Sequence, residues 1–218
     1  MKKRTSNIPG LNNLQKENWG QAIDCLTDAF SEDACFKYLL RSEVIDPAKA
    51  RFIHEYTLKY SYSNGEVFVT SKNVEGVSIW LPPETNNHTS LIHVWNFIIS
   101  GGLKMDKLVH PGTIDMMRKY GTYSSNLHHK YAKGPHWYLM SLGVAKEFQG
   151  MGFSKKLLLP MLDYLDKHGQ SCYLETHNSD NVPYYERFGF LTMEVGTLPG
   201  SDKKHWAMLR KPNSTGQS

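Results

Sequence analysis

The chain has 218 residues, 40% hydrophobic and 21% charged, and its 25 basic and 21 acidic side chains give a net charge of +4. This near-average composition excludes collagen-like, fibrous and wholly disordered proteins. The small basic excess does not require nucleic acid as a partner. Three cysteines, an odd number, suit a reducing compartment. Because the basic N-terminus has no apolar run after it, we expect no signal peptide. The most apolar window, 91–103, is short and interrupted by polar residues and glycines, so we expect no membrane span and a cytoplasmic location.

The first third of the chain predicts three helices. Apolar residues recur at three- and four-residue steps over 13–30, and a second short apolar run covers 34–40. A third helix begins at Asp46-Pro47, with the acid at the N-cap and proline in the first turn, and it ends before Gly65.

The pattern then changes to a period of two. Residues 66–70 and 76–81 are rich in β-branched and aromatic side chains and predict an antiparallel hairpin. Residues 84–135 are less regular, with helices predicted at 91–99 and 114–131. No linker marks a boundary, so we predict a single domain over 1–211 and a disordered tail over 212–218.

The last eighty residues alternate between strands and helices. An apolar strand over 137–144 is followed by a helix with a leucine stripe that ends at Gly169. A second strand over 172–176 precedes a short helix, 181–188, and two closing strands at 191–195 and 205–209. A strand, helix and strand in this order imply parallel pairing of the two strands.

Between the strand and the leucine-rich helix lies the glycine turn 149–155 (QGMGFSK). Glycine lets the backbone turn sharply, and the first amides of a helix attract anions. Lys146, Lys155 and Lys156 add positive charge beside it. These observations predict a phosphate-binding turn, although an ordinary glycine turn with solvated lysines would have the same pattern.

Two other phosphate motifs fit this turn less well. The P-loop spacing, with lysine and a hydroxyl directly after the last glycine, is missing. A dinucleotide fingerprint needs a third glycine or alanine where this chain has Lys155, but Glu175 follows about twenty residues on, as that motif requires. Nucleotide or dinucleotide binding therefore stays open as an alternative.

The turn and the residues after it resemble a known family. The segment 142–154, Leu-Gly-Val and then Gln-Gly-Met-Gly-Phe-Ser, is similar to the Gln/Arg-x-x-Gly-x-Gly/Ala motif of the GNAT superfamily of N-acetyltransferases. Asn178, Asn181 and the segment 184–190 (YYERFGF) resemble the end of the same fold. Residues 174–187 and 76–83 (GVSIWLPP) look closest to its puromycin N-acetyltransferase-like subgroup. Ser154 departs from the usual glycine or alanine.

The resemblance implies an α/β fold of the α+β type: a mixed, mostly antiparallel sheet, flanked by helices and splayed at its centre to admit acetyl-CoA. It also implies that the strand end at 142–144 pairs with the pantetheine arm and that the amides of 149–154 hold the pyrophosphate. The residues implied in cofactor binding are Leu142, Gly143, Val144, Gln149, Gly150, Met151, Gly152, Phe153, Ser154, Asn178, Asn181 and Tyr185.

Acetyl transfer to an amine needs an acid and a base. A lysine-like amine is neutral in only about one molecule in 2,500 at pH 7, so a group must remove its proton. The resemblance makes Tyr185 the acid that protonates the leaving thiolate, with Tyr184 as the neighbouring alternative. For the base we expect Glu175, unless its carboxylate is a structural partner of Arg187 or a backbone amide. His177 and His136 are candidates by residue type alone.

The expected reaction is direct attack of a small-molecule primary amine on acetyl-CoA. A non-catalytic acyl-CoA-binding module is the main alternative. Because residues 84–135 fall outside the family motifs, we expect them to cover the acceptor site. The histidine spacings do not match zinc motifs, so we expect no metal. Cys172 is expected to pack as a small hydrophobic residue. A monomer and a homodimer both remain open.

Overall fold

The computed structural model describes residues 8–85 and 112–213, which form one central sheet with helices on both faces. The strands are β1 (Asn12–Asn13), β2 (Glu66–Val69), β3 (Gly76–Leu81), β4 (His136–Val144), β5 (Ser171–Thr176), β6 (Leu191–Thr197) and β7 (Lys204–Arg210). The helices are α1 (Trp19–Ala29), α2 (Ala34–Leu40), α3 (Pro47–Asn64), α4 (Thr113–Tyr131), α5 (Phe153–Lys167) and α6 (Asn181–Glu186).

The described strands lie in the order β1-β2-β3-β4-β5-β7-β6. Every neighbouring pair is antiparallel except β4 and β5, which are parallel. The sheet is therefore mixed and mostly antiparallel, as predicted from the sequence.

The pairing of β4 changes along its length. The register against β3 shifts by one residue, so that Met140 is left without a partner between Leu139 and Ser141. Such a bulge bends a strand and increases its twist. On its other side β4 pairs with β5 only as far as Leu139 and Leu174. Beyond the bulge the two central strands diverge.

Each face of the sheet has its own core. Helix α5 covers one face with an apolar stripe that packs on Trp80, Trp137 and Leu174. Helices α1 to α4 cover the other face, where Tyr138 and Tyr173 are buried. Because side chains alternate along a strand, β4 and β5 send every second residue to each face.

Helix α1 lies very close to the far end of β4. A methyl group added at Gly143 would come within 3.1 Å of the Ala29 side chain and 3.0 Å of Leu26. Only glycine allows this approach without a shift of the helix. The carboxylate of Asp28, near the end of α1, accepts a hydrogen bond from the backbone amide of Lys146. These contacts attach α1 both to β4 and to the turn that follows it.

The structure confirms most elements predicted from the sequence. Asp46 caps α3 by accepting hydrogen bonds from the amides of Ala48 and Lys49. The hairpin, the parallel strand pair and the leucine-striped helix are all present. The helix predicted at 91–99, the half of the 84–135 segment that spans 86–111, and most of the predicted tail lie outside the described residues. Within 8–85 and 112–213, every helix is too short or too polar to cross a bilayer.

Candidate functional site

A groove of about 1100 Å³ opens where β4 and β5 diverge. Its walls include the end of β4 from Leu142 to Val144, the glycine turn, and residues of α6. It also reaches the face covered by α1 to α4, because Phe30, Asp33 and His177 belong to its lining. The groove is thus accessible to side chains from both faces of the sheet.

One end of the groove is lined by backbone amides. Gly150 and Gly152 have φ angles of 77° and 84°, a conformation that glycine adopts without strain. The first hydrogen bond of α5 runs from the Lys156 amide to the Gly152 carbonyl, so the amides of 152–155 come before it. Amides at this position, together with the helix dipole, favour a bound anion.

Positive side chains surround this end. Lys146 and Lys155 line the groove, as does Arg187 of the segment after α6. The ammonium of Lys156 instead lies 4.6 Å from the centre of the Phe153 ring. The turn therefore combines an amide cradle with three nearby cations, which suits a pyrophosphate group.

Ser154 connects the turn to α6. The Tyr184 hydroxyl donates a hydrogen bond to the Ser154 oxygen at 2.9 Å. The side-chain amide of Gln149 donates to the Val144 carbonyl at 3.0 Å, which closes the turn onto the end of β4. The serine that departs from the family motif thus has a partner that glycine or alanine would lack.

Tyr185 is the buried tyrosine of α6 and lines the groove from the side of α5. Burial raises the pKa of its hydroxyl above the ordinary value, and neighbouring Tyr184 and Cys172 add to this shift. In the part of the chain that the structure describes, no group hydrogen-bonds to this hydroxyl. Tyr185 therefore presents a protonated hydroxyl at the groove near neutral pH.

Glu175 lies on the opposite face and does not line the groove. Its side chain is only 2% exposed. It accepts hydrogen bonds from Ser124 at 2.7 Å, from Tyr173 at 2.9 Å and, at 3.5 Å, from Tyr120. Neither Arg187 nor a backbone amide is among these partners. Its role as the base stays a prediction, and its carboxylate is held by hydroxyl groups.

His177 brings this buried polar cluster to the groove. Its Nε2 lies 3.0 Å from Nδ1 of His205 and 3.3 Å from the Tyr120 hydroxyl. Burial lowers the pKa of His177 well below its ordinary value, and the charge of His205 acts in the same direction. Burial lowers the pKa of His205 as well, although the charges of Glu175 and Glu194 oppose it. Both imidazoles are therefore neutral near pH 7.

Asp33 faces the same part of the groove. It caps α2 through one oxygen, Oδ1, which accepts from the amides of Cys35 and Phe36. An oxygen of Asp33, the sulfur of Cys35 and a nitrogen of His177 lie within 4.8 Å of one another. Burial raises the pKa of the Asp33 carboxyl, while the two amides oppose the shift.

The other residues named from the sequence occupy several positions. Asn178 and Asn181 line the groove. Asn181 is the first residue of α6, whose N-cap is Asp180. Its side-chain amide donates to the Thr176 hydroxyl at 3.2 Å. The side chain of Met151 is 63% exposed and is not part of the lining.

Two further candidates lie away from the groove. His136 begins β4, at the end opposite Val144, and its Nε2 contacts Nε2 of buried His128. Cys172 is fully buried, and this burial raises the pKa of its thiol to about 12. A thiol with that pKa stays protonated at neutral pH, as expected of a packed cysteine.

Several groove residues were missed by sequence reasoning. These are Phe30, Glu32, Asp33, Arg187, Lys204 and Trp206. Arg187 was weighed only as a partner of Glu175, and the others lie on segments with no recognisable motif. Of these, only Trp206 could have been suspected from the sequence, because the alternation along β7 places His205 and Trp206 on opposite faces of the sheet.

Comparisons with known proteins agree with this architecture. A model of the acetyltransferase (GNAT) family matches residues 117–190. An uncharacterized N-acetyltransferase of Schizosaccharomyces pombe is 26% identical over 222 residues, which cover 92% of this chain and 83% of the relative.

Two solved structures share the fold. One is the histone acetyltransferase HPA2 and related acetyltransferase from Corynebacterium glutamicum, with 20% identity, 93% of this chain and 95% of that chain covered, and a TM-score of 0.62. The other is the mosquito arylalkylamine N-acetyltransferase like 5b, with 12% identity, 92% and 98% covered, and a TM-score of 0.63. The sheet is therefore that of GNAT acetyltransferase structures, and together the matches support the superfamily. They do not test the puromycin N-acetyltransferase-like subgroup.

Proposed function

We propose that this chain, with its GNAT-family segment and GNAT fold, is an N-acetyltransferase that moves the acetyl group of acetyl-CoA to a primary amine of a small molecule. The observation that carries the proposal is the continuity of the groove. It runs from the amide-lined turn at the start of α5 into the gap between β4 and β5. A phosphate-bearing carrier and a second substrate can meet there.

The chemistry of the lining fits acetyl-CoA. The amides of 152–155 and the side chains of Lys146 and Lys155 suit a pyrophosphate. Past Leu139 the edge of β4 is no longer paired with β5, so its backbone groups are available to an extended arm with amide groups. Adding such an arm to a strand edge is a recurrent mode of recognition.

Tyr185 suits the acid of the reaction. The amine nitrogen attacks the thioester carbonyl carbon, the C–N bond forms and the C–S bond breaks, and the departing thiolate takes the Tyr185 proton. Because the pKa of Tyr185 is raised, its hydroxyl is protonated and available as a donor. None of the three cysteines lines the groove, and all three are buried, which favours direct attack over an acetylated thiol. Unpaired cysteines also suit the cytoplasm.

Two measurements test the proposal. Calorimetry should detect acetyl-CoA binding, and a free-thiol assay should detect CoA release when a panel of primary amines is added. Puromycin belongs in this panel because of the subgroup resemblance. Absence of acetyl-CoA binding at millimolar concentration would overturn the proposal.

The same measurements separate the alternatives. Acetyl-CoA binding without thiol release for any amine would indicate an acyl-CoA-binding module. Thermal stabilisation by NAD or ATP, but not by CoA, would indicate a nucleotide-binding protein. The position of Glu175 argues against a dinucleotide, because this acid is bonded to hydroxyls and does not reach the groove to hold a ribose.

A further inference from the structure

The part of the groove lined by Asp33 and His177, which we take as its acceptor side, contains a histidine whose Nε2 already contacts other protein groups. Nε2 of His177 contacts both His205 and Tyr120 inside the protein. Within the described part of the chain, Nδ1 has no hydrogen-bond partner, and His177 is part of the groove lining. Nδ1 is therefore the nitrogen that a bound molecule would meet.

We propose that His177 is the catalytic base that removes the proton of the acceptor ammonium, and that Asp33 holds this ammonium beside it. This inference rests on the proposed acetyl transfer. It assigns the base to His177 rather than Glu175, because the Glu175 carboxylate is buried and does not line the groove. The two oxygens of Asp33 differ: Oδ1 accepts from the amides of Cys35 and Phe36, whereas among the residues that the structure describes Oδ2 has no hydrogen-bond donor and remains for a cation.

The hydrogen-bond chain behind His177 defines its tautomer. For Nδ1 to accept a proton, Nε2 must carry the hydrogen and donate it to Nδ1 of His205. The Nε2–H of His205 then points toward Oε1 of Glu175, 3.8 Å away. His205 and Glu175 are thus positioning residues: they keep the His177 lone pair directed at the groove and stabilise the positive charge that it gains.

The groups around His177 keep it neutral in the resting state. It lies directly after β5 and faces Tyr120 of α4, His205 of β7, and Asp33 and Cys35 at the start of α2. Glu175 is connected to it only through Tyr120 and His205. Burial lowers its pKa, and the charge of His205 acts in the same direction. A neutral imidazole is ready to accept a proton, and because Asp33 and His177 lie within 4.8 Å of each other at the groove, an ammonium bound to Asp33 would be within reach of His177.

The proton balance of the reaction is complete. The acceptor ammonium loses two protons, and the products are an amide, the CoA thiol and one proton. The first proton passes to Nδ1 of His177 and then to solvent. The second leaves the nitrogen as the C–N bond forms, and it replaces the proton that Tyr185 gives to the thiolate. No oxidant, reductant or further reactant is needed.

The test compares His177→Gln with the unchanged protein, using an acceptor amine that the panel has identified. We expect kcat/KM for the amine to fall by roughly 100- to 1,000-fold, within the usual contribution of general base catalysis. Binding of acetyl-CoA, measured by calorimetry, should stay the same. His168→Gln, at the end of α5 and exposed, is the matched histidine control and should leave the rate unchanged.

Two readouts separate proton removal from a structural effect. In the unchanged protein kcat/KM should reach a plateau above the pKa of His177, whereas in His177→Gln it should rise in proportion to the neutral amine in solution. A fluorinated analogue of the acceptor, already neutral at neutral pH, should lose much less activity in the variant. Glu175→Gln should shift the acidic limb of the profile to lower pH.

Equal losses for the protonated and the fluorinated amine, or an unchanged pH profile, would overturn the assignment of His177. A variant rate within threefold of the unchanged protein would do the same. If the unchanged protein releases no thiol with any amine, the proposed function itself fails, which is a distinct result.

Discussion

The two sides of the groove are built in different ways. The side that we propose for the cofactor comes from the end of β4 and the turn over 146–155, which are consecutive in the chain, and from helix α6, which follows after α5 and β5. The side that we propose for the acceptor contains Asp33 at the start of α2 and His177 after β5, with Tyr120 of α4 and His205 of β7 in contact with His177. The first arrangement can be recognised in the sequence because each of its segments carries a motif of neighbouring residues. The second exists only after the sheet has formed.

The largest effect is expected for a substitution of Tyr185, which should lower the rate of the reaction but not the binding of acetyl-CoA. Tyr185→Phe should lower kcat by about 100-fold or more, since it removes the acid but keeps the buried ring. The affinity for acetyl-CoA should change little. Tyr184→Phe is the matched control, because this tyrosine contacts Ser154 and not the reacting atoms in our proposal. Stopped-flow thiol release with calorimetry measures both quantities, and equal kcat values for the two variants would contradict the assignment.

A substitution of Asp33 should instead weaken binding of the amine substrate. Asp33→Asn keeps a residue that caps α2 well, so the fold should be retained. Loss of the charge should raise KM for a cationic amine about tenfold, the size of one hydrogen bond to a charged group. KM for acetyl-CoA should not change. Initial rates measured against the concentration of each substrate give both KM values. A larger change in KM for acetyl-CoA than in KM for the amine would show that Asp33 does not bind the amine.

Low pH should lower the stability of the protein mainly through the sheet face covered by α1 to α4. The buried imidazoles with lowered pKa values, His54, His136, His177 and His205, all lie on the face covered by α1 to α4. Their folded pKa values lie below the unfolded value of about 6.5, so the unfolded chain binds more protons and stability is lost as pH falls below that value. Burial lowers the pKa of His54 to about 3, which corresponds to a loss of about 2 kcal/mol at pH 5.

This pH dependence can be traced to one residue. Nε2 of His54 has no hydrogen-bond partner within the described ranges, and its ring stacks on Phe36 at 4.6 Å. His54→Phe should therefore remove its share of the acid sensitivity without loss of stability at neutral pH. Urea denaturation at several pH values measures the free energy of unfolding. An unchanged dependence on pH in the variant would show that His54 is not responsible.

The smallest expected effect concerns the serine that departs from the family motif. Ser154→Ala removes the hydroxyl that accepts a hydrogen bond from Tyr184, and this loss should lower the free energy of unfolding by about 1 kcal/mol. KM for acetyl-CoA should rise only a few-fold, since the backbone amides of the turn are unchanged. Steady-state rates measure it. A loss of binding greater than about 100-fold would show that Ser154 contacts the ligand directly.

Prediction from the sequence succeeded where spacing carries the information. The strands, the capped helix at Asp46 and the glycine turn all depend on neighbours within a few residues. Asp33 and His205 were missed as site residues because neither lies in a motif, and only the register of β5 and β7 brings His205 to His177. Glu175 was recognised as a candidate, but its three hydroxyl partners include Ser124, 51 residues away. Such partners could not be read from spacing.

Helix α1 joins the two sides of the groove mechanically. Its last turn packs against Gly143 and binds the Lys146 amide through Asp28, and the segment that leads to Asp33 begins directly after it. If ligand binding displaces β4, we expect α1 to carry the shift to Asp33, so that acetyl-CoA and the proposed acceptor would affect each other's affinity. Acetyl-CoA alone should slow hydrogen exchange of the amides at 30–36, and the acceptor should bind more tightly to the acetyl-CoA complex than to the free protein.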